Sequence, residues 1–152
     1  MRIAIGSDHA GLPLKQEIVK FLQQEGYAHH DFGTMTTDRV DYTDYAEAVA
    51  TAVSRGEYDF GILVCGTANG MAMAANKVPG IRAAICHEPF SARMARLHND
   101  ANIVVLGCWI VGVGLAQEAV KAFLSTSFSG EDRHAKRLEK ISDLERRCKG
   151  GC

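Results

Sequence analysis

Two short stretches bring together side chains able to move protons. In Gly6-Ser7-Asp8-His9-Ala10-Gly11 a carboxylate and an imidazole are adjacent, and in Cys65-Gly66-Thr67-Ala68-Asn69-Gly70 a thiol opens a glycine-bracketed loop that also carries a hydroxyl and an amide. Cys86-His87-Glu88 and Arg96-Leu97-His98-Asn99-Asp100 add further titratable groups. An acid, a base and a sulfur nucleophile in one cleft are what general acid–base catalysis requires. Each also has a plainer reading, with Asp8 as a helix cap, His9 as a loop residue, His98 as a surface histidine at a helix end and Cys65 as an inert buried thiol.

Gly66 and Gly70 bracket a turn ahead of a helix, where free backbone N–H groups and the helix dipole can hold an anion. The same setting can lower the Cys65 pKa from the ~8.5 of a free thiol, while an inert buried cysteine is the common case at a strand end. The loop is neither GxGxxG nor GxxxxGK[ST], so the usual dinucleotide and nucleoside-triphosphate signatures are missing. Six residues beyond Cys65 stands Met71, which also removes the arginine of a phosphatase C-x5-R loop. Arg133 and Arg137, four apart, share one face of the final helix, where two guanidinium groups can clamp a phosphate or simply be solvated.

The elements that position these groups alternate. Arg2 to Gly6 reads as a buried strand, followed by Leu14, Ile18, Phe21 and Leu22 at helical spacing up to a stop at Gly26. Tyr27 to Phe32 is a weaker, more polar strand, and Tyr45, Ala46, Val49 and Val53 form the next helical stripe before Gly56. Phe60 to Cys65 is a third strand, Asn69 to Lys77 a short helix, Ile81 to Cys86 a fourth strand, and Phe90, Met94 and Leu97 a fourth helical face. Ile103 to Leu106 is a fifth strand, followed by a helix on Leu115, Ala116, Ala119, Val120 and Phe123. Such alternation predicts a Rossmann-like α/β three-layer sandwich around a five-stranded parallel sheet, with ligands outside the carboxyl ends of the strands. Glu131 to Lys149 is a charged helix whose thin stripe of Leu138, Ile141, Leu144 and Cys148 is expected to pack on a neighbouring subunit.

With 152 residues, 47% of them hydrophobic, the chain fits one domain spanning 1–152. A net charge of -1 gives no general electrostatic basis for binding nucleic acid or an anionic membrane, so a small polar partner is expected. The opening apolar run is too brief for a signal peptide and no run reaches bilayer length, which points to the cytoplasm. The five cysteines, Cys65, Cys86, Cys108, Cys148 and Cys152, are odd in number and contain no CxxC pair, so reduced thiols and no metal site are expected.

Five motifs together resemble the type B ribose-5-phosphate isomerases, a group that includes galactose-6-phosphate and allose-6-phosphate isomerases. They are GSDHAG (Gly6 to Gly11), CGTANG (Cys65 to Gly70), AANKVPGIRAA (Ala74 to Ala84), HNDAN (His98 to Asn102) and DRHAKRL (Asp132 to Leu138). The resemblance implies an aldose–ketose isomerase of the pentose phosphate pathway, working through an enediolate with no metal or organic cofactor. It also implies a homodimer, with a tetramer as the larger alternative, whose sites draw on both subunits. On the same basis Cys65 is the base between C1 and C2 with Thr67 beside it, and the amides of Gly66, Ala68, Asn69 and Gly70 hold the enediolate oxygen. Asp8 and His9 contact the sugar, His98 opens the furanose ring with Asn99 next to it, and Arg133 and Arg137 bind phosphate.

Some relatives replace the cysteine and place a glutamate just after the glycine loop; that position here is Met71, which leaves Cys65 as the base. Many also carry an arginine after the fifth strand, in a G-x-R-x-x-G context. This chain has Gly107-Cys108-Trp109-Ile110-Val111-Gly112, so the charge is replaced by an indole and the sugar is less defined than the reaction. The substrate expected first is ribose 5-phosphate or ribulose 5-phosphate, then a hexose 6-phosphate or tetrose phosphate. A non-catalytic sugar-phosphate or nucleotide-binding module and a thiol redox sensor are the readings from other classes.

Overall fold

Apolar strands too short to pair with themselves, each followed by an amphipathic stretch, can satisfy their backbone only through crossover connections. The computed structural model describes residues 1–149. Its elements run β1 (Arg2–Ser7), α1 (Leu12–Gln24), β2 (Ala28–Asp31), α2 (Tyr42–Ser54), β3 (Phe60–Cys65), α3 (Asn69–Ala75), β4 (Ala83–Ile85), α4 (Pro89–Asn99), β5 (Ile103–Gly107), α5 (Val113–Ser125) and α6 (Asp132–Lys149). The strands form one five-stranded sheet of order β2-β1-β3-β5-β4, and every neighbouring pair is parallel. This is the expected three-layer α/β sandwich. The chain leaves β1 toward one edge and returns to β3 on the other side, so a topological switch point lies between β1 and β3.

One face of the sheet packs Ile3, Ile62 and Val104 against α1, α4 and α5, and the other packs Ala4, Leu63 and Val105 against α2 and α3. The helical stripes of α1 and α2 are buried as their spacing predicts, and Gly26 and Gly56 close the two helices with positive φ. On α5, Leu115 is exposed and the buried face is Ala116, Ala119, Val120, Phe123 and Leu124.

Two expectations need correction. On α4 the buried residues are Ala92, Ala95 and Arg96, while Phe90 is exposed and Met94 and Leu97 are half-buried. The small alanines let α4 lie close to α5. Arg96 is accommodated inside because its guanidinium lies 4.6 Å from the Phe60 ring centre and donates to Asp100, Ala101 O and Thr126 O. The fourth strand is also shorter than the apolar run Ile81 to Cys86, and side chains bond the backbone at its start. Asn102 Oδ1 accepts from Arg82 N at 2.8 Å, and Asn76 closes on both backbone groups of Ala83.

The helix α6 stands apart. Its Ile141, Leu144 and Cys148 are exposed, and Glu145 reaches back to the N–H of Gly80 at 3.0 Å. Cys152 lies outside the described residues. No helix of the described residues is long and apolar enough to cross a membrane.

Spacing alone did not single out Lys15. It is fully buried on the inner face of α1, where its Nζ donates to both oxygens of Asp31 (2.6 and 2.8 Å) and to Thr34 O (2.8 Å). Asp31 also accepts from Gly33 N, and the Gly33–Thr34 backbone exchanges two hydrogen bonds with Ser7 at 2.7 and 2.8 Å. The buried ammonium thus fixes the loop that holds the end of β1. Removing it strands a carboxylate, so Lys15→Met is expected to lower stability by about 3 kcal/mol. Urea denaturation should show a lower midpoint at unchanged slope.

Candidate active site

At the switch point the ends of β1 and β3 are bound together. Asp8 N donates to Val64 O at 3.2 Å, and Asp8 Oδ1 accepts from Gly11 N at 2.8 Å. The aspartate therefore closes the turn into α1 without capping it, since the N-cap of α1 is Gly11. A Cβ on Gly11 would sit 2.2 Å from Val64 O, so only glycine allows α1 to start against the end of β3. His9 Nδ1 accepts from Val40 N at 3.3 Å, which leaves its proton on Nε2.

Cys65 ends β3 at 5% exposure. Its loop is fixed on two sides: Cys108 N donates to Cys65 O (2.8 Å) and Trp109 N to Gly66 O (3.0 Å). The two glycines are needed for contact rather than for unusual backbone angles. A Cβ on Gly66 would meet the Trp109 ring at 2.8 Å, and one on Gly70 would meet the Tyr42 ring at 2.6 Å. The left-handed position is Ala68, with φ +72°, a strained conformation for a residue with a side chain. Thr67 and Asn69 are exposed beside it, and Asn69 Nδ2 donates to Thr67 Oγ1 at 3.4 Å.

Of the two readings of Cys65, the buried thiol matches its electrostatics. Burial pushes the thiol up and outweighs the backbone N–H groups of Met71, Ala68 and Thr67, which face the sulfur and favour thiolate; the charge of Asp8 pushes it further up. The resting group is a thiol, and once ionised it is a stronger base than an ordinary thiolate. Cys108 is raised in the same way, by burial first and then by Asp8 and Cys65, and its Sγ donates to Ala10 O. Cys86 is pushed up to about 11 by burial, within the core on the α1, α4 and α5 side of the sheet.

The predicted site residues fall into two groups. Asp8, His9, Cys65, Gly66, Thr67, Ala68, Asn69 and Gly70 meet at the carboxyl ends of β1 and β3. His98, Asn99, Arg133 and Arg137 do not join them, which corrects the single cleft read from the sequence. A crossover helix returns antiparallel to its strand, so the C-terminus of α4 comes back to the amino ends, a strand length or roughly 15 Å away at about 3.3 Å per residue. There Arg82 Nε donates to Asn99 O, and Ser129 N to Leu97 O brings up α6. The His98 and His134 rings stack with centroids 4.2 Å apart. His134 is buried, and burial first, then His98 and Arg133, holds it below the ordinary histidine value. Arg133 and Arg137 are exposed on α6, with Arg133 paired to Glu131 at 2.7 Å.

Two more residues lie beside the predicted ones. His87 Nε2 accepts from Gly107 N at 3.2 Å, and a Cβ on Gly107 would meet that nitrogen at 2.9 Å and the Thr67 carbonyl carbon at 3.0 Å. The ends of β3, β4 and β5 therefore meet at one glycine. Arg39, in the loop after β2, lines a cavity with His9, Val40 and Asp41. No catalytic spacing marked either residue in the sequence.

Asp8 raises the Cys65 pKa through its charge, so removing that charge should lower it. Asp8→Asn, which keeps the acceptor for Gly11, is expected to speed alkylation of Cys65 by iodoacetamide at pH 8, measured by mass spectrometry. In the unsubstituted protein alkylation should still be rising at pH 9, the ordinary thiol value.

Residues 3–141 match the family model described as Ribose/Galactose Isomerase. The chain is 47% identical over 146 residues to ribose-5-phosphate isomerase B of Escherichia coli, covering 96% of this chain and 97% of that one. It is 42% identical over 146 residues to D-erythrulose-4-phosphate isomerase of Pectobacterium atrosepticum, covering 95% of each. The structure of Clostridium thermocellum ribose-5-phosphate isomerase B superposes with a TM-score of 0.95 at 52% identity, over 97% of this chain and 99% of that one.

Proposed function

The chain belongs to the ribose/galactose isomerase family, and from that membership we propose that it interconverts ribose 5-phosphate and ribulose 5-phosphate through an enediolate, with Cys65 as the base. It is an aldose–ketose isomerase. The observation that carries the assignment of the base is the placing of Cys65 at the switch point, its sulfur facing three backbone N–H groups beside Asp8.

The chemistry follows from that environment. The proton on the carbon next to the carbonyl is weakly acidic, and a thiolate with a raised pKa is a better acceptor for it than an ordinary thiolate. The cost is a small ionised fraction at neutral pH, which the N–H groups of Thr67, Ala68 and Met71 reduce by favouring thiolate. Loss of the proton puts negative charge on the substrate oxygens, and the amides of Gly66, Ala68, Asn69 and Gly70 hold that charge as it forms. Cys65 then returns the proton to the neighbouring carbon, while the hydroxyl proton passes from one substrate oxygen to the other. Asp8 and His9 contact the sugar, and Thr67 lies beside the sulfur.

Ring opening needs an acid, and His98 with Asn99 supplies it from a second copy of the chain. In a homodimer the α4 end and α6 of one subunit meet the strand ends of the other, bringing His98, Asn99, Arg133 and Arg137 to Cys65. The exposed apolar residues of α6, Ile141 and Leu144, suit such a contact. A second reading keeps the reaction and shortens the sugar. It is favoured by the tetrose-phosphate relative and by Trp109, whose ring narrows the approach to Gly66.

Cys65→Ala is expected to lower turnover at least about a thousandfold, since a group in direct proton transfer is lost together with its positioning. Turnover across tetrose, pentose and hexose phosphates separates the two sugars, and a tetrose phosphate favoured over ribose 5-phosphate would select the second reading. The shared site has its own test. Cys65→Ala and His98→Ala chains, each inactive alone, should regain about one quarter of full activity when unfolded and refolded together in equal amounts, because half the dimers then hold one intact site. A site contained in one chain would regain none.

A further inference from the structure

A sugar phosphate brings a dianion, yet both arginines assigned to it stand at the far end of the chain that carries Cys65. The strand-end site of a single chain holds Asp8, the thiol and His9, and the rim position after β5 is the uncharged Trp109, which is 75% exposed. Arg39 is the cation beside that site. Its side chain is exposed, and among the described residues it joins no ion pair.

The segment that carries Arg39 is tied to both arms of the site. Val40 N donates to His9 Nδ1, and the Tyr42 ring lies against Gly70. Between these anchors His9, Arg39, Val40 and Asp41 line a cavity of about 330 Å3, at the small end of the range for ligand sites. The bond at Nδ1 fixes the neutral His9 tautomer that carries its proton on Nε2, so a second donor lines the same cavity as the guanidinium. Asp41 is the opposing charge on the cavity; it precedes α2 without making a side-chain cap bond. Asp38, on the same loop, is occupied by Thr36 Oγ1 and Thr36 Oγ1 in turn accepts from Asp38 N.

We infer that Arg39, which shares its cavity with the sugar-contacting His9, binds the phosphate end of the substrate from the same chain that supplies Cys65. A guanidinium unpaired among the described residues, on a small cavity next to a sugar-contacting residue, suits a phosphoryl group, whose oxygens accept from it. This inference rests on the sugar-phosphate isomerase reading, and it gives this chain a cation at the β2 loop where the rim after β5 has none.

The test is steady-state kinetics with ribose 5-phosphate, with inorganic phosphate as competing ligand. Arg39→Ala is expected to raise KM about tenfold and the phosphate inhibition constant by a similar factor, with the loss falling on KM rather than kcat; tenfold corresponds to about 1.4 kcal/mol of binding. Arg39→Lys should recover part of the loss, and Asp41→Asn, by removing the opposing charge, should lower both constants. Unchanged KM and inhibition constant in Arg39→Ala, or a fall in kcat at constant KM, overturns the assignment. Calorimetric titration of inorganic phosphate into both proteins separates this inference from the reading below it. If the unsubstituted protein turns over no sugar phosphate, the isomerase reading fails. The phosphate titration still decides the role of Arg39, with equal affinity in the two proteins counting against it.

Discussion

The approach of backbone to backbone at the ends of β1, β3 and β5 is the constraint on which the site depends, and it is made by missing side chains. Gly11 brings the start of α1 within bonding distance of the end of β3, Gly66 accepts the face of Trp109, and Gly107 admits His87 and the Thr67 backbone. None of these three needs a positive φ; each needs the absence of a Cβ. Ala68 carries the unusual angle instead. Interiors packed at crystal-like density transmit small displacements, so a methyl group at any of these glycines moves the loop that surrounds the sulfur.

That close packing also explains why the thiol is not acidic. A loop of free N–H groups ahead of a helix favours thiolate, and three amides do face Cys65. The same loop, however, covers the sulfur, and covering removes the water that would solvate the charge. Burial and amide donation are two effects of one geometry, and burial is the larger. Spacing in the sequence reports the donors but not the cover, and for that reason the direction of the shift was not legible there.

Much of the fold could be read because strand and helix periods are local properties. Leu14, Ile18 and Leu22, and Ala46, Val49 and Val53, take the faces their spacing assigns. The failures share a different origin, in partners distant along the chain. Arg96 is buried because Phe60 and Phe123 receive its guanidinium, and Lys15 because Asp31 and Thr34 receive its ammonium. The strand predicted over Ile81 to Cys86 starts only at Ala83, where the side chain of Asn102 has taken the preceding N–H of Arg82. Arg39 carried no expectation, and His87 only that of a titratable group at a strand end, for the same reason: their neighbours His9 and Gly107 are supplied by the topology.

The division of the candidate site between the two ends of one sheet has a structural consequence. In a parallel α/β layer every strand end and every helix C-terminus point in opposite directions, so His98 at the end of α4 cannot reach Cys65 at the end of β3 without unmaking the fold. Under the proposed reading a second copy related by a two-fold axis resolves this, because a contact that brings one subunit's α4 and α6 to the other's strand ends would be made twice. Such an interface closes on itself and completes two equal sites. Under the proposed reading, each site then receives its base and Arg39 from one subunit and its ring-opening acid, Arg133 and Arg137 from the other, so the substrate's charge is met from both sides of the interface.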